Sequence, residues 1–182
     1  QYVTNGFPEL IFRKGKSAKI SIKYAENLFG PNNEKGDRND LENKQLLGYY
    51  DEIISNGEDA QKFIPNWMRT FRFIEFEIET KDQELVLDKF VNHRSRTTIP
   101  SIAEFTSDDE TYNEIFDICK RTIDICTQDY FLSDAYYETM QYVGDTKIQG
   151  LIWQAMSGNA EHTKNAIRQF DHSRDSEGNI LG

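Results

Sequence analysis

The residues that invite a chemical reading lie in "FLSDAYYETMQYVGDTKIQG", residues 131–150. Glu138 and Asp145 stand there among Tyr136, Tyr137 and Tyr142, beside a Gly144-Asp145 pair. Tyrosine has an apolar ring and a polar tip, so it suits sugars, which have apolar C–H faces and polar edges. A carboxyl group enclosed by such rings is partly desolvated, which disfavours its charged form. It then keeps a proton near neutral pH, as a general acid must. Glycoside hydrolysis needs two carboxyl groups: one protonates the leaving oxygen, the other acts on water or on the anomeric carbon. Glu138 and Asp145 are candidates for that pair by residue type. In one continuous helix they would share a face. Gly144-Asp145 reads instead as a helix restart, so helical geometry does not fix their separation. Asp145 fits an N-cap equally well, and tyrosines at helix ends fit ordinary packing.

Other chemistries find less support. His93, His162 and His172 show no H-E-x-x-H spacing, and there is no C-x-x-C, so no metal site is expected. There is no glycine-rich phosphate loop and no G-x-S-x-G elbow, and no cofactor is expected. The formal net charge of −10 argues against a nucleic-acid backbone as partner. No run of about 20 apolar residues is present to span a membrane. The chain begins "QYVTNGFPEL", without Met or a signal-peptide pattern, and is expected to be a processed chain or a piece of one. Cys119 and Cys126 sit two helical turns apart, roughly 10 Å along the rise. That is too far for a disulfide, and both are expected to be buried apolar residues.

These candidates need elements to position them. Residues 1–105 read as β. "AKISIKY" alternates, with Ile20, Ile22 and Tyr24 on one side and Lys19, Ser21 and Lys23 on the other. "LLGYYDEII" and "ELVLDKFV" are weaker strands. In "WMRTFRFIEFEIET", residues 67–80, Phe71 and Phe73 share one parity while Ile74, Phe76 and Ile78 share the other. A phase switch of this kind predicts a bulge or a strand buried on both faces. Arg69 and Arg72 with Glu75, Glu77 and Glu79 predict a solvated ladder of cross-strand pairs. Residues 30–43 read as a long polar loop. Strands with such loops suggest a sandwich.

After "TTIPS" the period becomes helical. Ser107 and Glu110 form a capping-box pattern, and Ile115, Cys119, Ile123 and Cys126 form a stripe, which predicts a helix over 108–127. A second helix restarts at Gly144-Asp145, with Ile148, Leu151, Ile152 and Ala155 inward and Gly158 at its end. Asn159 is expected to cap a third, with Ala166, Ile167 and Phe170 on its apolar side. Three helices with few partners suggest a small appendage or the start of a larger helical domain cut off at Gly182.

The sequence resembles the bacterial α-L-rhamnosidases of glycoside hydrolase family 78. "KISIKYAENLFG", "GYYDEII" and "FIPNWMRTFRFIEFEIET" resemble that family's β-sandwich. "FTSDDETYNEIFDICKRTIDICTQDYF" resembles its linker and first helix. "YYETMQYVGDTKIQGLIWQAMSGNAEHTKNAIRQFDHSRDSEGNI" resembles its signature region. The resemblance implies an antiparallel β-sandwich over 1–105, then the first helices of an (α/α)6 barrel over 106–182. It implies Glu138 as general acid in ring-lined surroundings, and Asp145 and Tyr142 as sugar contacts. The family motif begins Asp-Cys-Pro, where this chain has Ser133-Asp134-Ala135. The family's leading Asp binds sugar; here Asp134, one place later, is the candidate substitute. The implied general base lies outside this sequence. The implied reaction is inverting removal of terminal α-L-rhamnose or a similar sugar, with a carbohydrate substrate and a periplasmic or extracellular site. The Ser133-Asp134-Ala135 departure leaves open a non-catalytic carbohydrate-binding or scaffold protein, and a sandwich that only supports the barrel.

Overall fold

In the computed structural model, which describes residues 2–180, the alternation of "AKISIKY" becomes a strand whose Ile20, Ile22 and Tyr24 are fully buried. The chain forms two compact units, Gln1–Ser95 and Arg96–Gly182. Residues 96–105 thus belong with the helices. Ile102 N–H and Ala103 N–H donate to Met156 O (2.8 and 3.2 Å), and Phe105 stacks on Phe116.

Among the described residues the first unit holds seven strands: β1 (Thr4–Lys14), β2 (Lys19–Ala25), β3 (Tyr49–Ile54), β4 (Gln61–Phe63), β5 (Arg69–Phe71), β6 (Phe73–Glu79) and β7 (Leu85–His93). All pairings are antiparallel. β1 pairs with β4, β5 and β7, while β2 lies between β3 and β6. Leu10 and Phe12 of β1, Ile20, Ile22 and Tyr24 of β2, and Phe71 of β5 form one core, so the two sheets share an apolar interior as a sandwich does.

The phase switch in 67–80 has a specific cause. The chain changes sheets at Arg72: β5 pairs with β1, whereas β6 pairs with β2. Strands that cross between sheets must bend, and the inward parity changes with the bend. Arg72 holds this corner. Its N–H donates to Ala25 O (2.8 Å), and its guanidinium donates to Arg38 O and Asn39 Oδ1 (both 2.7 Å) in the polar loop 30–43.

The expected solvated ladder of cross-strand pairs forms at the acids, and Arg69 departs from it. The ladder acids Glu75 and Glu77 pair with Lys23 (2.9 and 3.0 Å) across the β2–β6 register. Arg69 instead forms a largely buried pair with Asp51 beside the Tyr24 ring. Burial first, and the Asp51 carboxylate second, push the Tyr24 phenol well above the ordinary tyrosine range. The sequence reading did not single out β1, the longest strand. Gly6 and Pro8 interrupt its pattern. Pro8 lies between the stretch paired with β5 (Thr4–Gly6) and the stretch paired with β4 (Leu10–Phe12).

The second unit holds α1 (Glu110–Ile125), α2 (Val143–Ser157) and α3 (Glu161–His172). Asp109, not Ser107, caps α1: its carboxylate accepts from Thr111 N–H (3.0 Å), while Ser107 Oγ accepts from Asp109 N–H (3.2 Å). Asn159 Oδ1 accepts from Glu161 N–H (2.7 Å) at the start of α3, and Gly158 ends α2 at φ 64°. The buried stripes differ from those expected. α2 buries Thr146, Gly150, Trp153 and Met156, and leaves Ile148 and Leu151 more than 60% exposed. It is apolar nearly all round, so sequence did not fix which face packs. Gly150 decides it: a Cβ there would meet Thr163 Cγ2 at 2.9 Å, so only glycine lets α3 come this close. Cys126 is buried as expected, but Cys119 is exposed, and both are free thiols.

Ile22 is wholly enclosed in the sandwich core. Ile22→Ala should therefore cost about 2–5 kcal/mol, read as a lowered urea midpoint for the first unit. A change within about 0.5 kcal/mol, typical of surface positions, would contradict this placement.

Candidate functional site

Residues 126–142 join α1 to α2 and carry most of the candidate residues. The helical core anchors this connection. Phe131 is fully buried, with its ring edge-on to Trp153 (centroids 6.1 Å) and to His162 (4.6 Å). Trp153 and His162 lie 4.6 Å apart, and Ile123 and Ala166 complete the cluster. Glutamines on the helices latch the connection. Gln149 Nε2 on α2 donates to Leu132 O (2.5 Å). Phe131 N–H donates to Gln141 Oε1 (3.0 Å), and Gln141 Nε2 donates to Gln169 Oε1 on α3 (2.9 Å). Ser133 N–H donates to Met140 O (2.7 Å) and Tyr130 OH to Thr139 O (3.3 Å), closing the loop on itself.

Glu138 is the last residue of a turn over 135–138. Asp134 organises that turn. Its Oδ1 accepts from Tyr136 N–H (2.7 Å) and Tyr137 N–H (2.6 Å), and its Oδ2 accepts from Glu138 N–H (3.0 Å). A carboxylate has about four lone-pair sites, and three are filled here. Asp134 thus spends most of its acceptors on the backbone of its own turn. Ser133 Oγ donates to Glu138 Oε2 (3.0 Å), so the residue at the departed motif position touches the candidate acid directly.

The Glu138 side chain is exposed. Tyr136 is buried and packs edge-on against Tyr137 (4.7 Å). Tyr142 is half-buried and occupies the N-cap position of α2, its hydroxyl 3.9 Å from Met140 Sδ. Asp145 is therefore not the cap. It lies exposed in the first turn of α2, where the helix dipole favours an anion. Sequence reasoning missed Ser133, Gln141, Gln149 and Gln169 as supports of the loop. An Asp just before a turn was the one available signal, since its side chain commonly bonds backbone N–H groups two or more residues on.

Burial lowers the His162 imidazole below its usual range, opposed by the charge of Asp129. Burial, with the Asp134 carboxylate adding to it, raises the Cys126 thiol to about 11. A thiol so placed is un-ionised and unreactive at neutral pH.

No protein-family model matches the chain, and no curated protein matches it by sequence. Solved structures do. A GH78 family rhamnosidase of Bacillus sp. GL1 superposes with TM-score 0.79 at 17% identity, covering 99% of this chain and 18% of that one. The fold is rhamnosidase-like. A rhamnosidase from Klebsiella oxytoca with rhamnose bound gives TM-score 0.75 at 12% identity, covering 93% of this chain and 34% of that one. The chain spans about a fifth and a third of their lengths. No helix among the described residues is long and apolar enough to cross a membrane.

His162 gives the anchoring cluster a pH dependence. Its folded pKa lies below the unfolded 6.5, so the unfolded chain binds the extra proton more readily. Stability of the helical unit should be full above about pH 6.5 and fall as pH drops toward the folded value. Near-UV circular dichroism melts from pH 7.5 to 5 would show this, and His162→Phe should flatten the slope. A slope unchanged in that variant would assign the effect elsewhere.

Proposed function

We propose that this chain is part of an inverting α-L-rhamnosidase-like glycoside hydrolase. It combines a β-sandwich with the first helices of an (α/α)6 barrel and supplies Glu138 as the proton donor. The likeness to a GH78 rhamnosidase over 99% of the chain carries this reading. Two features support it. Glu138 is exposed on a loop tied at several points to buried elements, as a group that meets a ligand must be. The helices also carry exposed apolar side chains, among them Ile115, Ile118, Ile148, Leu151 and Ile167, which further helices of the same polypeptide would cover. Those helices would enclose the exposed Glu138.

In the proposed step the Glu138 carboxyl proton passes to the glycosidic oxygen as the C1–O bond breaks. A water adds to C1 from the opposite face, and its proton goes to a second carboxylate outside this chain. Asp145 and Tyr142 contact the sugar. The substrate is a terminal α-L-rhamnoside or similar glycoside, and a periplasmic or extracellular site goes with that role. Ser133, standing where the family it resembles has a sugar-binding Asp, favours a second reading: a carbohydrate-binding or scaffold protein without catalysis.

The two readings separate on one assay. Full-length protein should hydrolyse aryl α-L-rhamnosides. Glu138→Gln should lower kcat about 10²–10⁴-fold on substrates with poor leaving groups while the protein still folds and binds sugar. Near-normal kcat in that variant would remove Glu138 from the acid role. Sugar binding without hydrolysis by the unaltered protein would favour the second reading.

A further inference from the structure

We infer that Asp134 and Ser133 are positioning residues that jointly aim the Glu138 carboxyl group, Asp134 through the turn's backbone and Ser133 through the side chain. The inference rests on Glu138 being the proton donor.

Geometry carries it. Asp134 binds the N–H groups of three consecutive residues, the last being Glu138 itself. These are charge-assisted bonds, roughly twice as strong as neutral ones. They hold a strained conformation in place. Thr139, directly after Glu138, sits at φ 50°, a left-handed value that is a genuine outlier for a β-branched residue. Strain of that kind persists only where the surrounding structure over-determines it. Here Asp134 fixes one side of Glu138, and the Tyr130 hydroxyl on Thr139 O and the Ser133–Met140 backbone bond fix the other.

The backbone bonds leave the glutamate χ angles free, and an exposed glutamate would otherwise sample many rotamers. Ser133 Oγ, 3.0 Å from Oε2, selects among them. A hydroxyl can donate to a carboxylate and accept from a carboxylic acid. Ser133 can therefore keep its contact in both protonation states of Glu138, before and after proton transfer. An Asp at this position could not donate when ionised. Serine thus preserves aim through the reaction.

The test uses the full-length protein with two aryl α-L-rhamnosides, one with a poor leaving group and one with an activated dinitrophenyl group. Only the first depends strongly on proton donation. Ser133→Ala should widen the ratio of the two kcat values about tenfold, as small misplacements of a reacting group do, with KM little changed. Ser133→Thr, which restores a hydroxyl, should return the ratio. Asp134→Asn keeps an acceptor oxygen but replaces Oδ2 with a donor. It should widen the ratio too, and should speed hydrogen exchange at the Glu138 amide. An unchanged ratio in both variants, with Glu138→Gln inactive, would overturn the positioning role while leaving Glu138 as the acid. An active Glu138→Gln would overturn both. If the protein hydrolyses nothing, exchange decides: an unaffected Glu138 amide in Asp134→Asn overturns the inference.

Discussion

One carboxylate governs the geometry of the loop between α1 and α2. Asp134 accepts three backbone N–H bonds, and Glu138 takes its place from that turn. Hydrogen bonds to charged groups contribute roughly 1.5–3 kcal/mol each. The left-handed Thr139 costs on the order of 1–3 kcal/mol. Those bonds oppose the strain in a short loop without glycine between Phe131 and Val143. The buried Phe131–Trp153–His162 cluster supplies the rigid base beneath it.

That arrangement separates two tasks that the sequence had merged. The acids and tyrosines of 131–150 looked like one ring-lined pocket. In the structure Tyr136 and Tyr137 pack on each other, Tyr142 occupies the N-cap position of α2, and the carboxylates divide the work. Asp134 builds the turn, Glu138 projects from it, and Asp145 rides the first turn of α2. Under the proposed function, aromatic enclosure of Glu138 would come from further helices of a longer polypeptide, packed on the exposed apolar rows of α1, α2 and α3.

Much of the fold could be read in advance because its signals are local. "AKISIKY" alternates with a period of two and becomes a strand with that parity buried. The parity switch near Arg72 was visible, but its cause was not, since a crossing between sheets depends on pairings with β1 and β2 far away in sequence. β1 was hidden by Gly6 and Pro8. Helix existence was legible from the 3.6-residue period. Helix facing was not, because α2 is apolar on nearly all sides and the choice hangs on the close approach of Gly150 to Thr163. At the site, residue types marked Glu138. The roles of Ser133 and Asp134 depend on hydrogen bonds that only the folded turn reveals.

The most direct test is a crystal structure of the full-length protein with rhamnose or a rhamnoside analogue bound. The account predicts a Glu138 oxygen about 2.6–3.2 Å from the anomeric or glycosidic oxygen, with Ser133 Oγ still on the other carboxyl oxygen. A sugar seated away from residues 133–145, with Glu138 left in solvent, would contradict it.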